Sequence, residues 1–116
     1  ELGLKPVLPA FAGHVPEKFK ELHPEAKVTR AGKWAGFEEP HCCVSFVEPT
    51  DPLYGDISAA FVKNMIKYLG PNDHFYNGDQ FNEMPPSQND SDYLKEVSSE
   101  MIGALRRADP QAVWIL

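Results

Sequence analysis

From residue 50 to the end of the chain, two stretches of helical periodicity alternate with short apolar runs. Few folds accommodate that alternation. Thr50-Asp51-Pro52 is a helix start, with Asp51 as the cap and Pro52 in the first turn. Ile57, Phe61, Met65 and Leu69 then recur every four residues, with Ala60 and Tyr68 beside them. This spacing predicts a helix over 52–69 with that stripe buried, stopped by Gly70-Pro71. Asn89 to Ser91 offer caps for a second helix over 91–108, whose apolar face is Leu94, Val97, Met101, Leu105 and Ala108. Asp109-Pro110 stops it.

The runs around these helices read as strands at 6–11, 74–81 and 112–116. Strands that alternate with amphipathic helices imply crossover connections and a parallel sheet, with the helices on one side. A doubly wound sheet and a (β/α)8 barrel both fit. The former is expected to carry a Gly-rich phosphate loop after a strand, and this sequence has none. Barrels place their chemistry at the C-terminal ends of the strands, where His14 and Glu83 fall. The expected fold class is α/β, a partial (β/α)8 TIM barrel of about three parallel strands with their helices.

The remainder is less regular. Gly13 to Pro16 reads as a loop and Glu17 to Leu22 as a short helix. Val28 to Pro49 shows no period and reads as a long functional loop. Gly3 reads as the stop of a preceding helix, and Ala112 to Leu116 as an apolar strand with no loop after it. Residues 1–116 are therefore expected to be an internal fragment of a larger catalytic domain.

Net charge is −6 without a Lys/Arg cluster, which argues against nucleic acid and membrane surfaces as partners. No apolar run approaches the roughly 20 residues of a membrane span. Cys42 and Cys43 are adjacent, and so small a ring closes only with strain. Either one pairs outside these residues or both are free thiols. With His41 and His74 or Asp73 they supply ligand types, but adjacent cysteines poorly share one ion, so no metal or other cofactor is expected.

One carboxylate stands out. The run from His74 to Phe81 ends on Asn82-Glu83, just before Met84-Pro85-Pro86. Glycoside hydrolysis uses two carboxylates flanking the sugar, and an amide beside one can bond the C2 substituent. The plain alternative is a surface Glu at a strand end. His14 could donate to a sugar hydroxyl or bond its own loop. Trp34 could stack on a pyranose or fill a small loop core. Asp79, four residues before Glu83, reads as a buried polar contact inside the barrel. Asn89-Asp90-Ser91 matches the N-glycosylation pattern, although Asp90 and Ser91 compete as helix caps.

Several stretches carry a resemblance: LKPVLPAFAGHVP (4–16), GKWAGF (32–37), Asp51-Pro52 and DHFYNGDQFNEM (73–84). Together they resemble the α-N-acetylglucosaminidase family, glycoside hydrolase family 89, nearly end to end. The resemblance implies an elaborated (β/α)8 barrel that removes terminal, non-reducing α-linked N-acetylglucosamine with retention, for example from heparan sulfate or other glycoconjugates. It implies Glu83 as general acid/base and a second Glu, the nucleophile, outside these residues. The isolated chain is then expected to be inactive. Asn82, His14 and Trp34 are the expected substrate-binding residues, and Asn89 a glycan acceptor. The expected partner is a glycan ending in N-acetylglucosamine, and the expected location lysosomal, vacuolar or secreted. The runner-up function is a non-catalytic carbohydrate-binding module. Such modules are mostly β-sandwiches, which the βα alternation opposes.

Overall fold

A computed structural model describes residues 2–81 and 85–116. Its elements are β1 (Val7–Pro9), β2 (His14–Val15), α1 (Phe19–Leu22), β3 (Val28–Arg30), β4 (Ser45–Val47), α2 (Pro52–Leu69), β5 (Phe75–Asn77), α3 (Ser91–Ala108) and β6 (Val113–Ile115). β1, β5 and β6 form a parallel sheet in that order, in the register Leu8, Tyr76, Trp114 across the strands. Parallel neighbours need long crossovers, and α2 and α3 supply them.

The boundaries of the two long helices coincide with those the sequence predicts. The Asp51 side chain accepts from the Leu53 N–H at 2.8 Å, and Gly70 takes a positive φ of 86° at the far end. In α3 the cap is Asp90, whose Oδ1 accepts from the N–H groups of Asp92 and Tyr93. The strands are shorter than their apolar runs, and Gly78 shows why β5 ends. A Cβ there would lie 2.9 Å from the Ala10 Cβ and collide with the Met101 methyl, so the backbone presses directly on the core.

That core lies between the sheet and the two long helices. Tyr76 sits at its centre with Val62, Met101, Leu105, Ala10 and Ala112. Val97, Met101 and Leu105 of α3 are buried as expected, whereas Leu94 is exposed. The α2 stripe needs correction. The buried residues are Tyr54, Ser58, Ala59 and Val62, while Phe61 is 40%, Tyr68 78% and Leu69 67% exposed. Both stripes have a four-residue period, and α2 turns the one with small residues inward because it lets α3 approach.

The opposite face of the sheet is open, with Val7 47%, Val113 46% and Ile115 36% exposed. Trp114, between Val113 and Ile115, turns toward the helices, and its indole N–H donates to the Gly78 carbonyl at 2.9 Å.

Four further expectations change. The segment read as one long loop contains β3 and β4, which join β2 in an antiparallel sheet ordered β2-β4-β3. These strands are two or three residues long and interrupted by residues 31–44, too short to show a period. Cys42 and Cys43 are disulfide-bonded to each other, with Cys43 at a φ of 66°. The left-handed turn at Cys43 brings the two sulfurs together, and they cannot serve as thiolate metal ligands. The helix expected from Glu17 begins at Phe19, and residues 2–4 are not helical.

Candidate functional site

A cleft of about 660 Å³ opens beside the C-terminal end of β5. One wall is the antiparallel sheet, through Thr29, Arg30, Phe46 and Glu48; the other is the chain leaving β5, through Gln80, Phe81, Pro85 and Ser87. Trp34 lines the same cleft, from the excursion between β3 and β4. That excursion is tied at its neck, where the Ala31 N–H donates to the Val44 carbonyl and Arg30 Nε to the Cys43 carbonyl, each at 2.9 Å.

Two buried tyrosines fix the walls. The Tyr54 hydroxyl lies 2.9 Å from the Phe11 carbonyl and 2.6 Å from Gln80 Oε1, so it links the chain leaving β1 to the chain leaving β5. Burial pushes its pKa above the ordinary phenol value, against the opposing bond with Gln80, and it stays a neutral donor. The Tyr93 hydroxyl, in the first turn of α3, donates to Glu48 Oε2 at 3.0 Å. Its pKa is also raised, first by burial and further by the Glu48 carboxylate, with the Ser87 bond opposing. Ser87 Oγ sits 3.2 Å from Glu48 Oε2 and 2.9 Å from the Tyr93 oxygen. Thr29 Oγ1 lies 3.3 Å from Glu48 Oε1.

The rim is charged but internally paired. Arg30 meets Glu39 at 2.8 Å and Lys33 meets Glu38 at 2.6 Å, both exposed pairs of small energetic weight.

Of the residues singled out from sequence, Asn82 and Glu83 lie outside the described residues. Their flanks, Phe81 and Pro85, both line the cleft. Trp34 also lines it, half-exposed and stacked on Phe37 with ring centroids 6.1 Å apart and planes 12° from parallel. His14 does not line it. It is exposed on β2, with its ring edge against Phe46 at 5.7 Å. Asp79, expected to be buried, is exposed because β5 has ended at Asn77, and its Oδ1 accepts from the Phe81 N–H at 3.0 Å. Asn89 is exposed just ahead of α3.

Sequence reasoning passed over Glu48, Ser87 and Tyr93. Glu48 was findable: it follows the apolar Ser45–Val47 run just as Glu83 follows an apolar run. Ser87 and Tyr93 carry no such mark.

Known proteins share this fold. Residues 1–116 match the family model described as alpha-N-acetylglucosaminidase (NAGLU) tim-barrel domain. The human alpha-N-acetylglucosaminidase is 40% identical over 114 residues, covering 98% of this chain and 15% of the human protein. A family 89 glycoside hydrolase from Clostridium perfringens in complex with PUGNAc superposes with a TM-score of 0.77, at 23% identity over 97% of this chain and 13% of that one. A second Clostridium perfringens structure, in complex with its substrate GlcNAc-alpha-1,4-galactose, gives the same TM-score at 22% identity, over 97% and 12% of the two chains. The three parallel strands and their helices are thus part of a (β/α)8 barrel, and the chain spans about 15% of the length of the human relative.

Proposed function

Because the chain belongs to the alpha-N-acetylglucosaminidase family, we propose that the full-length protein is a glycoside hydrolase acting on terminal, non-reducing α-linked N-acetylglucosamine. In this reading Glu83 is the general acid/base. The supporting observation is that the chain on both sides of the Asn82-Glu83 pair, at Phe81 and at Pro85, lines one cleft beside the C-terminal end of β5. Barrel enzymes keep their chemistry at that end.

The mechanism follows from the carboxylate pair that such a reaction needs. Glu83 gives its proton to the departing glycosidic oxygen while a second Glu, outside this chain, attacks the anomeric carbon and forms a glycosyl-enzyme. Glu83 then takes a proton from water, which releases the sugar with its α configuration retained. Retention requires the two carboxyls about 5 Å apart. One chain holding one of them is inactive alone. Asn82 bonds the acetamido group at C2, and Trp34 offers its half-exposed ring to the apolar face of a sugar beyond the scissile bond. The natural substrates are heparan sulfate or other glycoconjugates ending in this sugar. The oxidised Cys42–Cys43 pair and the exposed Asn89 support passage through an oxidising, secretory route to a lysosome, a vacuole or the exterior.

Glu83→Gln in the full-length protein tests the reading. Substrates with poor leaving groups are expected to lose about 10²–10⁴-fold, the usual weight of general acid help. A nitrophenyl glycoside, whose leaving group needs little protonation, loses far less in its first step. Azide then rescues turnover and yields the α-azide, because two inversions restore the starting configuration. Equal losses on both substrates with no azide effect would make Glu83 a binding or structural residue.

A further inference from the structure

The excursion between β3 and β4, residues 31–44, carries Trp34 into the cleft without a core of its own. No residue in it is buried, and only Ala31, Cys42 and Cys43 are half-buried. Something other than apolar packing therefore fixes where its tip stands. The two sides of the excursion meet in steps. At the neck the Ala31 N–H donates to the Val44 carbonyl, and Arg30 reaches both the Cys43 carbonyl and the Glu39 carboxylate. Lys33 then meets Glu38, and at the tip the Phe37 N–H donates to the Trp34 carbonyl at 2.9 Å. The ion pairs are exposed and weak, so the backbone contacts at the neck matter most.

Those contacts depend on the direction of the Cys43 carbonyl. Cys43 has a φ of 66°, a left-handed conformation that a side chain disfavours. The ring closed by the Cys42–Cys43 disulfide contains the intervening peptide and the N–Cα bond of Cys43, so the covalent link itself restrains that φ. A glycine would reach the same conformation but would not be kept there. The pair also lines one recess with Val15 and Pro16, which seats it against the antiparallel sheet.

We propose that the Cys42–Cys43 disulfide is a positioning element for substrate binding. By holding the left-handed turn at Cys43 it keeps the neck of the excursion closed through Arg30, and so sets Trp34 against the sugar beyond the scissile bond. The inference rests on the sugar contact given to Trp34 above, and it assigns the sulfurs no chemistry of their own.

The test uses the full-length protein, a disaccharide ending in α-linked N-acetylglucosamine, and the nitrophenyl glycoside. Cys42→Ser, Cys43→Ser and the double variant are each expected to raise KM on the disaccharide by about threefold or more, a part of the roughly tenfold that losing the aromatic platform costs. The losses are equal, because each substitution breaks the same bond. KM on the nitrophenyl glycoside barely moves. Cys42→Ser/Cys43→Gly recovers part of the loss, since glycine takes the left-handed turn freely. In a Trp34→Ala background, breaking the disulfide adds nothing further. Equal KM changes on both substrates, or a further loss on top of Trp34→Ala, overturn the role of the disulfide. So does failure of the serine variants to fold, which would make the pair a folding element. If Trp34→Ala itself does not separate the two substrates, the sugar contact falls and the role of the pair falls with it.

Discussion

Replacing Asp109 by Asn removes one charge from the N-terminal end of the parallel sheet while keeping the side chain's shape. Asp109 is buried, and its Oδ2 accepts from the Tyr76 hydroxyl and lies against His74 Nδ1, both at 2.7 Å. Its Oδ1 accepts from the Gln111 N–H at 3.1 Å. These bonds join the start of β5 to the turn before β6, beside the Val113 N–H that donates to the His74 carbonyl at 2.8 Å. An amide at 109 has one acceptor oxygen and one NH₂ group. In one orientation the NH₂ faces His74 and Tyr76; in the other it faces the Gln111 N–H. The second sets donor against donor, and the first is met only if the Tyr76 hydroxyl turns toward Asn72 and His74 presents Nδ1 as an acceptor. A bond to a charged group contributes about 1.5–3 kcal/mol, and a buried donor left unmade costs about 1–3 kcal/mol, so the substitution costs about 2–4 kcal/mol near neutral pH.

The pH dependence gives that cost a signature. Burial raises the Asp109 pKa, but the bonds from His74, Tyr76 and the Gln111 N–H outweigh it and leave the carboxyl below its ordinary value. A carboxyl whose folded pKa is depressed stabilises the fold fully above its unfolded pKa, about 4, and loses that contribution as pH falls through the folded value. Thermal unfolding of the full-length protein and of Asp109→Asn, followed from pH 7 to pH 3, is expected to show a gap of several degrees at pH 7. The gap should persist down to about pH 4 and close below it. A gap of constant width, or none at pH 7, refutes the assignment of this carboxylate as a charged clamp. Tyr76→Phe supplies the control. The hydroxyl it removes is held neutral, with its pKa pushed up to about 12 by burial and then by Asp109, so its cost should vary little between pH 5 and pH 8.

Trp34→Ala should raise KM on a disaccharide substrate by about tenfold, as expected for losing one aromatic platform, and leave a nitrophenyl glycoside nearly untouched. Equal KM on both disproves contact with the sugar beyond the scissile bond. Asn89→Gln should shift the protein's mass by one N-linked glycan when it is made in cells that glycosylate. Identical masses before and after endoglycosidase treatment would remove Asn89 as an acceptor.

The parallel layer was legible because its helices are long enough to repeat. Over 18 residues each, cap, period and stop agree, and the observed bounds of α2 and α3 follow. The buried face of α2 was not legible, for a physical reason. Two stripes of that helix share a four-residue period, and the sequence alone ranks them by hydrophobicity, which favours Phe61 and Leu69. Packing ranks them by fit, which favours Ser58, Ala59 and Val62. Of the more apolar stripe, Phe61 and Leu69 are exposed, while Met65 packs at the edge of the core.

The cleft was half legible for a related reason. Glu83 and Trp34 stand out because their residue types are odd for their surroundings, and oddness is visible in one dimension. Glu48, Ser87 and Tyr93 acquire their role only when the chain brings residues 29, 48, 87 and 93 together, across as many as 45 positions for the Tyr93 bond to Glu48. Those pairings depend on an antiparallel sheet whose strands are three residues or fewer, below the length at which alternation can be read. Such a sheet is a poor source of stability by itself. Its strands persist because Phe46 and Val47 are buried, and because Gly13 lets the backbone of the chain leaving β1 lie against the Phe46 ring, where a Cβ would come within 2.7 Å. The wall of the cleft opposite the Asn82-Glu83 flanks is therefore held by one glycine and one phenylalanine, and the carboxylate of Glu48 is a polar contact that joins that wall to Ser87 and Tyr93.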